Sequence, residues 1–302
     1  MRRRFHPFLF IITCLMLSAQ SMAATNHRQD STLTQKIQQL LSGQQGVFAV
    51  AFKDLATGET ILINEKTMFH AASTMKTPVM IELYKQAAAG TFSLQDSALV
   101  RNEFKSIVDG SLYRLDSAVD SQRELYRREG ERLSLNELIY QMIIRSGNLA
   151  TNILIEILDG KKITATMREL GAPDIQVLRG VEDQKAFDQG LNNTTTAYDQ
   201  MKIYEALANG KAVNKDASDA MIRILLDQQH NTVIPALLPK DVKVAHKTGS
   251  ITSVHHDAGI VFLPDGRKYV LALLSAKFTS DKEATGAMAR VSQLVYRYMT
   301  GK

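Results

Sequence analysis

Ser73-Thr-Met-Lys76 places a hydroxyl and an amine three residues apart at the front of the apolar stretch Met75 to Leu83. On a helix, residues at that spacing share a face, so the serine could serve as a nucleophile and the lysine as its base. The chemistry requires Lys76 to be neutral near pH 7, a state that burial and neighbouring cations favour. Ser73 is the only serine followed by a lysine at this distance. Chance alone would supply about one such pair, so the weight falls on what accompanies it.

Two further groups carry chemistry. Ser146-Gly147-Asn148 lies between the apolar runs Leu138 to Ile144 and Leu149 to Leu158, where a short loop or helix boundary could present a hydroxyl and an amide to a cleft. Ser134-Leu-Asn136 has the same form but reads as a helix cap followed by Glu137. Lys247-Thr248-Gly249-Ser250 falls in a β-rich run, and Gly249 there marks a close backbone approach by another segment. Lys247 and Thr248 would offer a cation and a hydroxyl to a carboxylate. Backbone N–H groups of Ser250 and Ser73 could together hold an oxyanion.

The elements that must position these groups are legible in outline. Residues 31 to 43 read as a helix ending at Gly43, and Val47 to Phe52 with Thr60 to Asn64 as a hairpin turning at Asp54 to Gly58. From Thr67 to about Asn214 the pattern is mostly helical. Strands return at Val242 to Thr252, Gly259 to Leu263 and Tyr269 to Ala276, and Lys282 to Met299 closes the chain as an amphipathic helix. An α+β, three-layer α/β/α fold follows: an antiparallel sheet built from both termini, covered by the terminal helices, beside a central all-α lobe. The expected domains are 24–66 with 215–302 for the sheet and 67–214 for the helices, with the site at their seam. Glu103 to Arg132, rich in charge, is expected to be a solvated surface excursion.

Composition narrows the function classes. The sequence of 302 residues is 45% apolar, enough for a sizeable core. Arg2 to Arg4, the apolar run Phe8 to Leu17 and Ser21-Met22-Ala23 form a signal peptide, with a cut expected after Ala23 and a periplasmic or secreted product. The run is about half the ~20 residues of a spanning helix, so no stable membrane insertion is expected after cleavage. Cys14 invites a lipoprotein reading that Thr13 disfavours. Without residues 1–23 the 36 basic groups fall to 33 against 31 acidic ones, which argues against a nucleic-acid partner. No cysteine then remains, which excludes disulfide and thiol chemistry. His255-His256-Asp257 is the one dense group of ligand types, and neighbours in a strand point to opposite faces, so no metal site is expected.

Taken together, Ser-x-x-Lys, Ser-x-Asn and Lys-Thr-Gly occur in the order found in class A β-lactamases and penicillin-binding proteins. Essentially all of the mature chain resembles this penicillin-recognising superfamily of serine enzymes. The resemblance implies that Ser73 is acylated, Lys76 accepts or relays its proton, and Ser146 passes a proton to the leaving nitrogen. Asn148 would hold the substrate amide, and Lys247, Thr248, Gly249 and Ser250 would form the strand that binds the carboxylate and oxyanion. Glu182, followed by Asn193 and a threonine run, resembles the carboxylate of the family's Ω-shaped loop that activates the deacylating water, with Asp183 its nearest rival. The sequence departs from the pattern at three places. Asp183 and Ala186 replace a proline and an asparagine, the segment after Glu182 is short, and Gly147 replaces the aspartate of the middle motif. The expected activity is cofactor-free, monomeric β-lactam hydrolysis. The alternatives are a peptidase acting on cell-wall peptides and a β-lactam-binding protein that stays acylated.

Overall fold

The computed structural model describes residues 32–301. The expected signal segment and its cut after Ala23 therefore lie outside the described residues.

The chain begins with α1 (residues 32–42), then β1 (Val47–Asp54) and β2 (Thr60–Ile63), which pair as an antiparallel hairpin. Asp54 builds the turn: its carboxylate accepts from Ala56 N and the Thr57 hydroxyl, and Gly58 adopts a positive φ of 79° that glycine takes without strain. A mostly helical stretch follows. It runs through β3 (Phe69–His70), a 3₁₀ turn (Ala72–Met75) and α2 (Lys76–Ala88), then the short strands β4 (Ser97–Leu99), β5 (Phe104–Lys105), β6 (Leu112–Tyr113) and β7 (Arg132–Ser134). Next come α3 (Leu135–Ile144), α4 (Asn148–Ile157), α5 (Gly160–Glu169), α6 (Gln184–Asp188), β8 (Thr194–Thr195), α7 (Ala197–Ala208) and α8 (Lys215–Leu226). The chain closes with β9 (Lys243–Ile251), β10 (Val254–Phe262), β11 (Lys268–Ala276) and α9 (Asp281–Thr300).

Both ends of the chain meet in one antiparallel sheet of order β2-β1-β11-β10-β9, so the fold is α+β as the pattern implies. Alternation along β1 sorts the two faces. Phe48, Val50 and Phe52 join Ile37 of α1 and Val291 and Val295 of α9 in one core, while Ala49 and Ala51 face the other. Small residues recur on that second face at Ala245, Ala258 and Ala272, which lets Met75, Val79 and Tyr204 of the helical side pack close to the sheet. α9 has a capped start, where Ser280 accepts from Glu283 N, and ends at Gly301 in the left-handed conformation.

Two expectations change. β10 starts at Val254, five residues before the expected Gly259, because it pairs with β9 and β11 over its whole length and the ladder draws His255, His256 and Asp257 into the strand. Glu103 to Arg132 is also more than a solvated excursion. Most of its charged side chains face water, but Phe104, Ser106, Leu115, Asp120, Gln122 and Leu125 are buried and tie it to the helices. Among the described residues no helix is long and apolar enough to cross a membrane.

Candidate active site

Ser73 sits in the 3₁₀ turn Ala72–Met75, immediately ahead of α2. The turn keeps residues three apart on one face, as the helix reading required. Ala72 reaches it with φ of 46°, one of three non-glycine residues of positive φ grouped here, with Ser146 at 59° and Glu182 at 61°. Such strained conformations persist only where surrounding bonds hold them, and they gather at functional sites. For Ala72 the holding group is His70, whose Nδ1 accepts the Ala72 N–H at 3.0 Å. The imidazole is therefore neutral at Nδ1, and burial with the nearby Arg179 lowers its pKa.

Lys76 is fully buried, and its amine donates to Ser146 O at 2.7 Å and Asn148 Oδ1 at 2.9 Å, with Ser146 Oγ at 3.4 Å. Among the described residues the Ser73 hydroxyl makes no hydrogen bond, so Lys76 faces the Ser146 loop in place of a direct bond to Ser73. Lys247, on β9, is also fully buried and donates to Thr248 O at 2.7 Å and Ser146 Oγ at 3.0 Å. One hydroxyl thus stands between two amines.

Two ammonium groups in so dry a space oppose each other. Burial lowers the Lys76 pKa to about 7, against the pull of Asp120 and then Glu182, which favour the charged form. Burial, followed by the Lys76 charge, drives the Lys247 pKa well down, and Asp257 opposes the shift. A neutral amine close to pH 7 is what a serine base requires.

Ser146-Gly147-Asn148 forms the junction of α3 and α4, as its place between two apolar runs implies. Ser134 caps α3 by accepting from Glu137 N, which removes it from the site. The Asn148 side chain links the groups of the cleft: its oxygen accepts from Lys76 and its Nδ2 donates to Glu182 Oε1 at 2.8 Å. Each partner permits only one end of the amide, so the orientation is fixed. Glu182 Oε2 also accepts from Asp116 N at 3.2 Å.

The loop carrying Glu182 is pinched at its base. Asn193 Oδ1 accepts from the N–H groups of Leu178 and Arg179, and the Arg179 guanidinium donates to Leu191 O and Asn192 Oδ1. Asp183, the rival carboxylate, is buried and already bonded to Ser106 Oγ at 2.8 Å, Ile107 N at 2.9 Å and Ala186 N at 3.2 Å. It pins the loop to the 104–111 segment and caps α6. Ala186, where an asparagine is usual, is buried in that short helix.

β9 is the last strand of the sheet: Val244 to Gly249 are buried, and Ser250 and Ile251 at its end reach the cleft. Gly249 allows the close approach expected of it: a Cβ there would lie 2.8 Å from both Ser73 N and Thr74 N. Those are backbone atoms of the Ser73 turn and cannot yield without moving it. If Ser73 is the nucleophile that its motif implies, Gly249→Ala is expected to lower the rate of its acylation about 100-fold, because small displacements of reacting groups cost that much. Overpacking should also destabilise the fold by about 1–3 kcal/mol. A thermal melt and a burst-phase assay check both.

Ser73, Asn148, Glu182 and Ser250 line one open cleft of about 230 Å³, walled on one side by His70 and Phe187. Their rings meet edge-on at 6.1 Å. Lys76, Lys247 and Thr248 are buried behind this surface. His255 and His256 diverge: the first faces Asp281 at 3.2 Å, and the second is buried with Nε2 donating to His70 O. Sequence reasoning missed Asp120, His70 and Phe187. No spacing rule links Asp120 or Phe187 to Ser73, and His70, three residues before it, acts through a local bond to Ala72 N that residue type alone does not announce; Asp120 falls in the segment that looked like solvated surface.

The model of the Beta-lactamase enzyme family matches residues 32–299. The chain belongs to this family. Among relatives of this family member, a Bacteroides uniformis beta-lactamase is 26% identical, over 99% of this chain and all of that one. The extended-spectrum beta-lactamase PER-1 of Pseudomonas aeruginosa is 23% identical over 95% of this chain and 92% of its own. Of solved structures, PBP-A superposes with a TM-score of 0.77 at 26% identity, covering 90% of this chain and 97% of the other. The chain thus has the fold of a serine β-lactamase.

Proposed function

We propose that the protein is a class A-like serine β-lactamase that opens the β-lactam amide through an acyl-enzyme on Ser73. The observation that carries this reading is the Ser146 hydroxyl lying between the Lys76 and Lys247 amines, with Asn148 joining Lys76 to Glu182. Neutral Lys76 takes the Ser73 proton as the hydroxyl attacks the carbonyl carbon. The N–H groups of Ser73 and Ser250 hold the oxyanion, and Ser146 carries a proton to the nitrogen as the C–N bond breaks. Lys247, Thr248 and Ser250 take the substrate carboxylate. Glu182 then removes a proton from water, which attacks the ester and frees Ser73. No step calls for a metal or organic cofactor.

A second reading is a penicillin-binding enzyme that deacylates slowly. Both Glu182 carboxylate oxygens already hold a donor, Asp183 and Ala186 depart from the usual loop, and PBP-A is among the similar structures. One of its solved forms, the L158E mutant, is an acyl-enzyme complex with penicillin G. Mixing purified protein with a labelled penicillin separates the two: label on Ser73 should appear and decay within the assay for a β-lactamase and persist for a binding protein. Absence of label on Ser73 would refute both.

The protein acts outside the cytoplasm in this reading, as a monomer whose first residue after cleavage is Ala24. Its sheet domain is residues 24–66 with 215–302 and its helical domain residues 67–214.

A further inference from the structure

Gly147 stands where the middle motif usually has an aspartate, and its surroundings explain the exchange. A Cβ on Gly147 would lie 2.9 Å from the Gln122 Cβ, so the 120–122 segment occupies the space. The same segment brings in a different carboxylate. Asp120 is buried and accepts from Asn148 N at 3.0 and 3.1 Å, Leu149 N at 3.0 Å, Gln122 N at 2.9 Å and the Tyr126 hydroxyl at 2.9 Å. The first two donors open α4, whose N-terminal N–H groups have no acceptor within the helix and favour a negative charge. One of them belongs to Asn148, the residue that touches both Lys76 and Glu182.

We propose that Asp120 is the positioning residue of this site, fixing Asn148 through its backbone and supplying beside Lys76 the buried negative charge that Gly147 lacks. Among the charges that oppose deprotonation of Lys76, Asp120 ranks ahead of Glu182. The other ionisable neighbours are Lys247 of β9 and His230 of the segment after α8. Asp120 therefore sets how readily Lys76 gives up its proton, from a part of the chain outside all three motifs. The kinetic half of this proposal rests on Ser73 forming an acyl-enzyme; the electrostatic half does not.

Asp120→Asn tests it, because the amide keeps an oxygen for the α4 N–H groups while the charge disappears. The Lys76 titration, followed by NMR of its ¹³Cε, is expected to move from about 7 to lower pH by about 1 unit. The acid limb of the acylation rate should move with it. An unchanged Lys76 midpoint in a folded variant overturns the proposal. The titration needs no β-lactam, so a wild-type protein that does not acylate refutes the functional reading and still leaves Asp120 measured. Asp120→Ser provides the same comparison should the asparagine variant not fold. If neither folds, Asp120 serves folding alone and the proposal is overturned.

Discussion

Glu182→Gln is expected to trap the acyl-enzyme: penicillin-treated protein should carry one persistent adduct on Ser73 while the acylation rate stays within a few-fold of wild type. The reason is the difference between the two steps. In the proposed acylation the proton moves among Ser73, Lys76 and Ser146, none of which the substitution alters. In deacylation a water must lose its proton, and a glutamine oxygen cannot take it. Loss of a general base slows a step by about 10²–10⁴. Glutamine has the size of glutamate and can accept from one of the two present donors, Asn148 Nδ2 or Asp116 N. The fold should therefore change in stability by less than about 1 kcal/mol. Removing the Glu182 charge also takes away one of the two carboxylates that hold Lys76 protonated, so the acid limb of acylation should drift to lower pH. Intact-protein mass spectrometry over time decides the matter. Wild-type turnover in this variant would take Glu182 out of the mechanism.

Asp183 offers the contrast. The resemblance favours Glu182, but residue type alone leaves its neighbour Asp183 as a rival. The coordinates separate them by what each touches. Asp183 is buried among three donors that belong to the loop and the 104–111 segment, and Glu182 faces the cleft beside Asn148.

The same distinction governs what could be read from the chain in general. The hairpin at Asp54, the cap at Ser134, the junction at Ser146 and the tight glycine at Gly249 are local features, and residue types at short spacing report them. The alternation of Phe48, Val50 and Phe52 with Ala49 and Ala51 likewise reports which strands have two covered faces. Asp120 lies 28 residues before the N–H groups it accepts from, and no periodicity connects them. The charge of the 103–132 segment concealed its buried members, because a window average cannot separate inward residues such as Leu115 and Leu125 from the arginines between them. The start of β10 was hidden for a related reason: His255-His256-Asp257 is a polar triplet whose strand state comes from the ladders on both sides. Three-residue spacing did put Lys76 on the face of Ser73, but it could not say that the Ser146 carbonyl and the Asn148 amide would claim the amine.

Lys76→Ala is expected to slow acylation itself by about 10²–10⁴, the contribution of a positioned base. The pH dependence identifies the cause. With a pKa of about 7, the Lys76 amine is mostly charged at pH 6 and mostly neutral at pH 8, so the wild-type acylation rate should rise through pH 7 and level off above it. The alanine variant should lose that limb. The substitution also strips Ser146 O and Asn148 Oδ1 of a donor, and an unsatisfied buried acceptor costs about 1–3 kcal/mol, so a lower melting temperature is expected. One effect runs the other way. Lys247 loses the neighbouring charge that opposes its own, so it should hold its proton more firmly and grip a substrate carboxylate at least as well. Substrate binding should then survive while chemistry fails, a pattern that unfolding of the site would not produce. Normal labelling of Ser73 in this variant would contradict Lys76 as the base and turn attention to Ser146. Linkage gives the same group a stability signature in the wild type. The folded chain releases this proton near pH 7 and the unfolded chain near 10.5, so the Lys76 contribution to stability should rise with pH across that window and be at its lowest below it.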